Sequence, residues 1–489
     1  MLPIVEGVSD GRVTSAVRTT EVPIVPRDTH ELGPIIGPGR LAAVLTAGHR
    51  ARQALSGRTV MHVNSTATGG GVAEMLPTLL GYTAGAGVQV RWFVLRGDPA
   101  FFAVTKRLHN RLHGYCGDDG DLGTTARAAY ERILLDAATD MLQVLEPGDI
   151  AVLHDPQALG LAPLLRRRGV TPIWRCHIGT DTADAITADA WTFLTPYLDD
   201  VAAFVFSRAS YRPARIPVDL TWVITPSIDP LSTKNRPLDT TAVSDILVYT
   251  GLLGGSPALP PMFSRRDGSA ARLERRAEVV QLGPPPSPRE PVVVQVSRWD
   301  RLKDMIGVMT GFAEYIATTG SGHLILAGPN ASGVSDDPEG AAQFASCVQE
   351  WRGLPERHRR RIHLASLPVV DAEENALIVN AVQRHAAVVV QKSLAEGFGL
   401  TVLEAMWKGR PVVASAVGGI RDQIADERYG LLLPDPHDLA TFGALVRRLL
   451  DNPAMASSIG QRAAVRAADF LPDRHLIAWA ELLIDVTAC

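Results

Sequence analysis

Two stretches of the chain alternate short apolar, β-branched runs with segments of helical apolar spacing, and that alternation restricts the fold to parallel sheets covered by helices. From Arg58 onward the strand-like runs are VMHVN, VQVRWFVL and IAVLHD, with the helical VAEMLPTLLGYTA and a long helical region to Leu145 between them. The rhythm restarts with VVVQVS at Val292 to Ser297, then runs through a helix, HLILAG, RIHLAS, Val388 to Val390 and PVVAS. Between the stretches, Asn235 to Pro291 carries GLLGGSPALPPMFSRRDGSAARLERR and GPPPSPREP, which read as a partly mobile linker or insertion. The expected fold is α/β, with two Rossmann-like doubly wound domains facing a central cleft and ligands bound beyond the carboxyl ends of the strands. The boundaries expected are 1–285 for an acceptor-binding domain that includes the linker at 235–290, and 286–472 for a donor-binding domain. The last helix, 473–489, is apolar on one face from His475 to Val486 and is expected to cross back to the first domain.

The 489 residues suit two to four domains, and 46% hydrophobic content is ample for large cores. A net charge of −4 without a long single-sign run excludes a broad phosphate-backbone footprint, so nucleic acid is not an expected partner. Cys116, Cys176, Cys347 and Cys489 show no CxxC pair and read as reduced, buried thiols. No apolar run is long enough to span a membrane, and MLPIVEGVSDGR has no basic region followed by an apolar stretch. The expected location is the cytoplasm.

The densest chemistry lies in QKSLAEGFGLTVLEA, Gln391 to Ala405, where Glu396 and Glu404 are eight residues apart around a glycine-rich turn. The turn leads from the Val388–Val390 run into a helix beginning near Leu400, whose free N–H groups and dipole favour a diphosphate. Glu396, ahead of that helix, can accept hydrogen bonds from sugar hydroxyls, and Glu404, further in, can reach a ribose. Taken alone, the two glutamates read more readily as a capping acid and a solvated helix residue, and the surrounding residues reverse that reading. Arg298 and Lys303 follow the end of VVVQVS, where two cations can neutralise a departing diphosphate. In the first domain Gly69-Gly70-Gly71 sits between a strand and a helix, a weak signal for a phosphate-facing loop. His154 and Asp155 end IAVL, and His177 ends PIWRC, all at strand ends that face the expected cleft.

SLAEGFGLTVLEAMWKGRPVVASAVGG, with Glu396, Glu404, Gly418 and Gly419, resembles the retaining nucleotide-sugar glycosyltransferases of the glycogen synthase and sucrose synthase type. That resemblance implies a glycogen-phosphorylase-like glycosyltransferase architecture. It places Glu396 at the donor sugar, Glu404 at the nucleotide ribose, and Gly397, Phe398, Gly399, Leu400 and Thr401 around sugar and diphosphate. It also assigns Arg298 and Lys303 to the leaving group, and notes Asp304 where relatives often have glycine.

HVNSTATGGGVAEML, RWFVLRGDPAFFAVTKRLHNRLHG, LHDPQ, WRCHI and PSIDPLSTKN together are similar to the trehalose glycosyltransferring synthases. These join the glucose of a nucleotide-diphosphate glucose to free glucose through an α,α-1,1 bond. The resemblance implies a catalytic set of Arg298, Lys303, Glu396 and His177, with His177 near the donor's 6-hydroxyl; Gly70 and Gly71, from their place between strand and helix, are expected at the donor, in a loop that can close over its phosphates or the acceptor. It puts His154, Asp155 and Asn64 at the acceptor, with Arg175 a neighbour. GTDTADAI after His177 and the segment after Asn235 depart from the family pattern, and both departures bear on the acceptor.

The function expected is retaining transfer of glucose from a nucleotide-diphosphate glucose, such as UDP- or ADP-glucose, to glucose, giving trehalose. A cyclitol or aminosugar acceptor and a phosphorylase using glucose 1-phosphate stay open as alternatives. A sugar-nucleotide epimerase and a non-catalytic sensor are further ones. The partners expected are a small-molecule donor and acceptor, with no nucleic acid and no membrane, and a homodimer stays open. No cofactor and no metal are expected: Asp181 and Asp184 miss the Asp-x-Asp spacing, and Asp119-Gly120-Asp121 lies in a polar segment that reads as a solvated loop.

Overall fold

The computed structural model describes residues 18–488 apart from 69, 119, 257–258, 319–321 and 331–337. The N-terminal MLPIVEGVSDGR, Gly69, Asp119 and Cys489 therefore lie outside the described residues.

Seven strands form the first sheet: β1 (Thr19–Val22), β2 (Thr59–Asn64), β3 (Gln89–Leu95), β4 (Ile150–His154), β5 (Thr171–Cys176), β6 (Ala203–Phe206) and β7 (Thr221–Val223), in the order β1-β3-β2-β4-β5-β6-β7. All neighbours are parallel except β1, which runs antiparallel to β3. Its apolar runs are continuous because both faces are covered. Met61, Val63, Ala151 and Leu153 point into one core, while Val60, Ile150 and Val152 point into another that includes Trp479, Leu482 and Leu483 of the last helix. That helix, Pro472–Ala488, thus packs on the first domain, and Arg40 ties it down with two 2.7 Å bonds to Asp473.

A small antiparallel hairpin follows, β8 (Met262–Ser264) and β9 (Ala270–Arg272). The second sheet contains β10 (Glu278–Val280), β11 (Val292–Val296), β12 (His323–Pro329), β13 (Ile362–Leu367), β14 (Val388–Gln391), β15 (Val412–Ser415) and β16 (Leu431–Leu433). Its order is β10-β13-β12-β11-β14-β15-β16, and only β10 is antiparallel. Every residue of β11 is buried, and each such valine contributes about 1.5–3 kcal/mol on leaving water.

The 235–290 segment, expected as linker, is built structure. Asp239 caps a helix, Thr240–Tyr249, whose Val243, Ile246 and Leu247 join the core around Leu377, Ile378 and Ala381, and β10 forms the edge of the second sheet. Its glycines and prolines confine it to short pieces, and the apolar spacing within 243–249 anchors it. Cys176 and Cys347 are buried, whereas Cys116 is exposed, contrary to the expectation for that thiol.

In each sheet the strand order reverses once, between β2 and β4 in the first and between β11 and β14 in the second. Ligands of doubly wound sheets bind at these reversals. Asn64 and His154 end one pair of strands, and Val296 and Gln391 end the other, so the nominated residues cluster where the topology opens.

Candidate active site

The turn after β14 is shaped by close backbone approach. Gly399 is left-handed (φ 87°) and starts the helix Leu400–Trp407. Gly418 (φ 50°) packs so tightly on this turn that a Cβ would lie 1.8 Å from the Glu396 carbonyl oxygen. At Gly397 a Cβ would lie 2.8 Å from the His177 carbonyl oxygen of the first domain. The Tyr211 hydroxyl donates across the same boundary to the Gly397 carbonyl at 2.6 Å. Only glycine permits this contact between the two strand-end clusters.

Within the cleft, Lys303 donates to both carboxylate oxygens of Glu396, at 2.7 and 2.6 Å, and the Ser393 hydroxyl donates to Oε2 at 3.1 Å. Arg298 lies beside them, 3.4 Å from Asp300, which caps the turn carrying Lys303. Asp304 is left-handed (φ 48°), the conformation that a glycine there would supply without strain, and its carboxylate caps Gly307 and pairs with buried Lys392. Glu404 is buried, with Oε1 3.0 Å from Lys234 and Oε2 without a protein hydrogen-bond partner. Lys234 also holds Glu74 of the helix Gly71–Gly85 at 2.8 Å; burial pulls its pKa down, but the two acids outweigh that and raise it, keeping the ammonium charged. Gly70 (φ 123°) and Gly71 open that helix, and a Cβ on Gly71 would sit 3.1 Å from Leu400. Two helix N-termini, one from each domain, therefore flank the same space. The Thr401 hydroxyl donates to Gln391 at 3.1 Å.

Three nominated residues behave differently from expectation. His154 does not offer its ring to an acceptor: it is buried, with Nε2 3.0 Å from His62 Nδ1 and Nδ1 3.0 Å from His177 Nε2. Asn64 is buried too, accepting from Trp92 Nε1 at 2.8 Å and donating to the Thr66 carbonyl at 2.6 Å, so it braces the glycine loop instead of meeting a sugar. The Phe398 side chain packs in the core near Phe470, so any share it has in the donor site is through its backbone. Asp155 does reach the strand end, left-handed (φ 59°), with Oδ1 accepting from the His177 amide at 2.7 Å. Burial raises its carboxyl to about 7, against the lowering pull of that bond and of Arg175. His177 is half-buried at the cleft. Arg175, completely buried, donates to the Ile224 carbonyl at 2.7 Å.

The acids considered for a metal have protein partners. Asp184 caps the helix Ala185–Leu194, Asp181 pairs with Arg208, and Asp121 accepts from the Gly123 amide at 3.0 Å. No helix among the described residues is long and apolar enough to cross a membrane.

The profile described as "Trehalose synthase, N-terminal domain" matches residues 62–213, and "Glycosyl transferases group 1" matches residues 374–466. A trehalose synthase of Rubrobacter xylanophilus is 36% identical over 431 residues, covering 86% of this chain and 89% of the relative. One from Pyrococcus horikoshii is 31% identical over 430 residues, covering 88% and 90%. The chain belongs to the trehalose synthase family.

As a member of the trehalose synthase family it is a glycosyltransferase. The sucrose-phosphate synthase of Thermosynechococcus elongatus, 18% identical, superposes with a TM-score of 0.61 over 88% of this chain and 99% of its own, which shows a shared two-domain glycosyltransferase fold.

Further residues line this trehalose-synthase cleft that motif reading passed over. His113, after the helix Pro99–Leu112, faces Lys303 and Glu396, and its Nδ1 lies 3.2 Å from the Gly179 carbonyl. Burial, and then Lys303, push it down to about 4. Lys106 lies 3.8 Å from Asp300, and Arg301 donates to the Tyr115 hydroxyl at 2.6 Å. His109 and His113, four residues apart, were the available helical signal, and Lys234 sits inside PSIDPLSTKN.

Proposed function

We propose that the chain transfers glucose from a nucleotide-diphosphate glucose to free glucose, with retention, giving trehalose. The observation that carries this reading is the meeting of Lys303, Glu396 and the amide end of the helix Leu400–Trp407 at a strand-order reversal, in a chain of this family. Lys303, Arg298 and the amides at Gly399 and Leu400 stabilise charge on the departing diphosphate. Glu396, once Lys303 turns to phosphate, accepts hydroxyls of the donor sugar, and Glu404 Oε2 accepts from a ribose. The bond from the anomeric carbon to the diphosphate oxygen breaks with its electron pair leaving on the phosphate. The acceptor hydroxyl attacks on the same face, and its proton passes to that phosphate oxygen. Closure of the domains excludes water that would hydrolyse the donor.

The test is incubation with UDP-, ADP- and GDP-glucose and with glucose 1-phosphate, against glucose, a cyclitol and an aminosugar, reading linkage by NMR. An α,α-1,1 product from a nucleotide donor and glucose is expected. Trehalose from glucose 1-phosphate alone, or a product only from another acceptor, would overturn the donor or acceptor assignment respectively.

A further inference from the structure

The three histidines His62, His154 and His177 come from β2, β4 and the end of β5, and lie side by side because those strands are neighbours. They are joined nitrogen to nitrogen: His62 Nδ1 to His154 Nε2 at 3.0 Å, and His154 Nδ1 to His177 Nε2 at 3.0 Å. The rings of His154 and His177 are stacked, 5.3 Å apart and inclined by 10°. The chain runs from half-buried His177 at the cleft into the interior, where Trp479 of the last helix packs edge-on against His62 at 5.9 Å and donates to His475 at 2.8 Å. A cavity of about 20 Å³ borders these side chains and Arg175. Burial, with the Arg175 guanidinium adding to it for His154 and His177, keeps the rings neutral.

A neutral imidazole carries one proton, so each of its nitrogens is either donor or acceptor. If His62 donates from Nδ1, His154 accepts at Nε2 and donates from Nδ1, and His177 accepts at Nε2 and carries its proton on Nδ1. Reversing one member reverses all three. A mismatch sets two N–H groups, or two lone pairs, against each other at 3.0 Å and loses a hydrogen bond.

We propose that His62 and His154 are positioning residues, an imidazole chain that fixes which nitrogen of His177 bears its proton where that ring faces the sugar cleft. His177 thereby meets a sugar hydroxyl with a set donor or acceptor. This rests on the reading of the cleft as the sugar site, but the state of His177 is measurable without turnover.

The test uses ¹⁵N-histidine-labelled full-length protein, with the His177 signals assigned by loss in His177→Gln. Wild type is expected to show one His177 tautomer, His62→Leu a mixture, and His62→Asn, whose amide replaces Nδ1, a single tautomer again. In parallel, His62→Leu is expected to lower kcat by roughly tenfold, the scale of one lost neutral hydrogen bond. His62→Asn is expected to recover most of that, and the loss is expected to vanish with the one deoxy-sugar, donor or acceptor, that lacks the hydroxyl His177 meets. A mixed tautomer in wild type, an unchanged tautomer in His62→Leu, or an equal rate loss with every deoxy-sugar overturns the proposal. Should His62→Leu not fold, the wild-type and His62→Asn tautomers decide it. Absence of transfer from every donor would defeat the functional reading and leave the tautomer result standing.

Discussion

Lys303 grips both carboxylate oxygens of Glu396, at 2.7 and 2.6 Å, so the cation and the anion proposed to meet opposite parts of a sugar diphosphate neutralise each other. The pair is mostly buried, with side chains 17% and 11% exposed, and an unpaired charge there would be costly. A diphosphate and a sugar can replace the two partners simultaneously, whereas either alone leaves one charge unmatched. Donor binding is therefore expected to favour the intact sugar nucleotide over its fragments.

Lys303→Ala is expected to lower kcat/KM by about 10²–10³-fold, the scale seen when one charge-stabilising donor is removed from a transition state. It also leaves the mostly buried Glu396 carboxylate with the Ser393 hydroxyl as its remaining donor, so a folding cost of about 1–3 kcal/mol is expected beside the kinetic loss. Glu396→Gln is expected to lose catalysis while still binding free nucleoside diphosphate. Steady-state kinetics beside thermal melts check both, and wild-type rates in either variant would remove that residue from the mechanism.

Glu404 presents a buried Oε2 with no protein partner next to a carboxylate oxygen already held by Lys234. A hydrogen bond to a charged acceptor is worth about 1.5–3 kcal/mol, so Glu404→Gln is expected to weaken nucleoside diphosphate binding by roughly ten- to a hundredfold. Calorimetry with the dideoxyribose nucleotide supplies the control. That ligand is expected to bind weakly to wild type and to be indifferent to the substitution; equal sensitivity of both ligands would contradict a ribose contact.

The parts of this molecule legible in its sequence are those whose signal is local. Continuous runs such as Val292–Val296 announce strands buried on both faces, and Lys303, Glu396 and Glu404 follow strand ends at short, readable spacings. What was not legible depends on distant pairing. His154 looks like a cleft residue until β2 is placed beside β4, which sets His62 against its ring from 92 residues away. Asn64 is likewise taken by Trp92 of the adjacent strand. The helix Thr240–Tyr249 was hidden because glycine and proline around it dominate the composition, although Val243, Ile246 and Leu247 carry its packing.

Asp304 tests which of three opposed effects dominates at the loop carrying Lys303. Replacing it by glycine relieves about 1 kcal/mol of left-handed backbone strain but removes a helix cap worth about 1 kcal/mol. It also strands Lys392, whose side chain is 1% exposed, at a cost of about 3–5 kcal/mol for an unmatched buried charge. Asp304→Gly is therefore expected to destabilise by about 3–5 kcal/mol, and adding Lys392→Met is expected to restore most of that. Denaturant melts of the single and double variants decide it; a glycine variant as stable as wild type would mean that the ion pair contributes nothing.

Stability is expected to fall as pH drops below about 6.5, and the sign follows from the buried histidines. Burial pushes His62 down to about 3 and, with Lys303 adding, His113 to about 4, while His154, His177 and His475 are held well below their ordinary value. Below about pH 6.5 the unfolded chain binds protons at these positions and the folded chain does not, so protons favour unfolding. Asp155 runs the other way: raised to about 7, it holds a proton in the folded chain that the unfolded one has lost above about pH 4, which offsets one histidine. The depressed histidines, which also include His109, His323, His358, His363 and His385, outnumber the one raised carboxyl, so the slope is several times about 1.4 kcal/mol per pH unit and a stability of about 5–15 kcal/mol is consumed within a few units. Urea midpoints are accordingly expected to drop steeply between about pH 6.5 and about pH 5. His62→Asn is expected to flatten the acid limb by about one group's share, and midpoints that stay level down to about pH 5 would mean that these rings are solvated or charged in the folded chain.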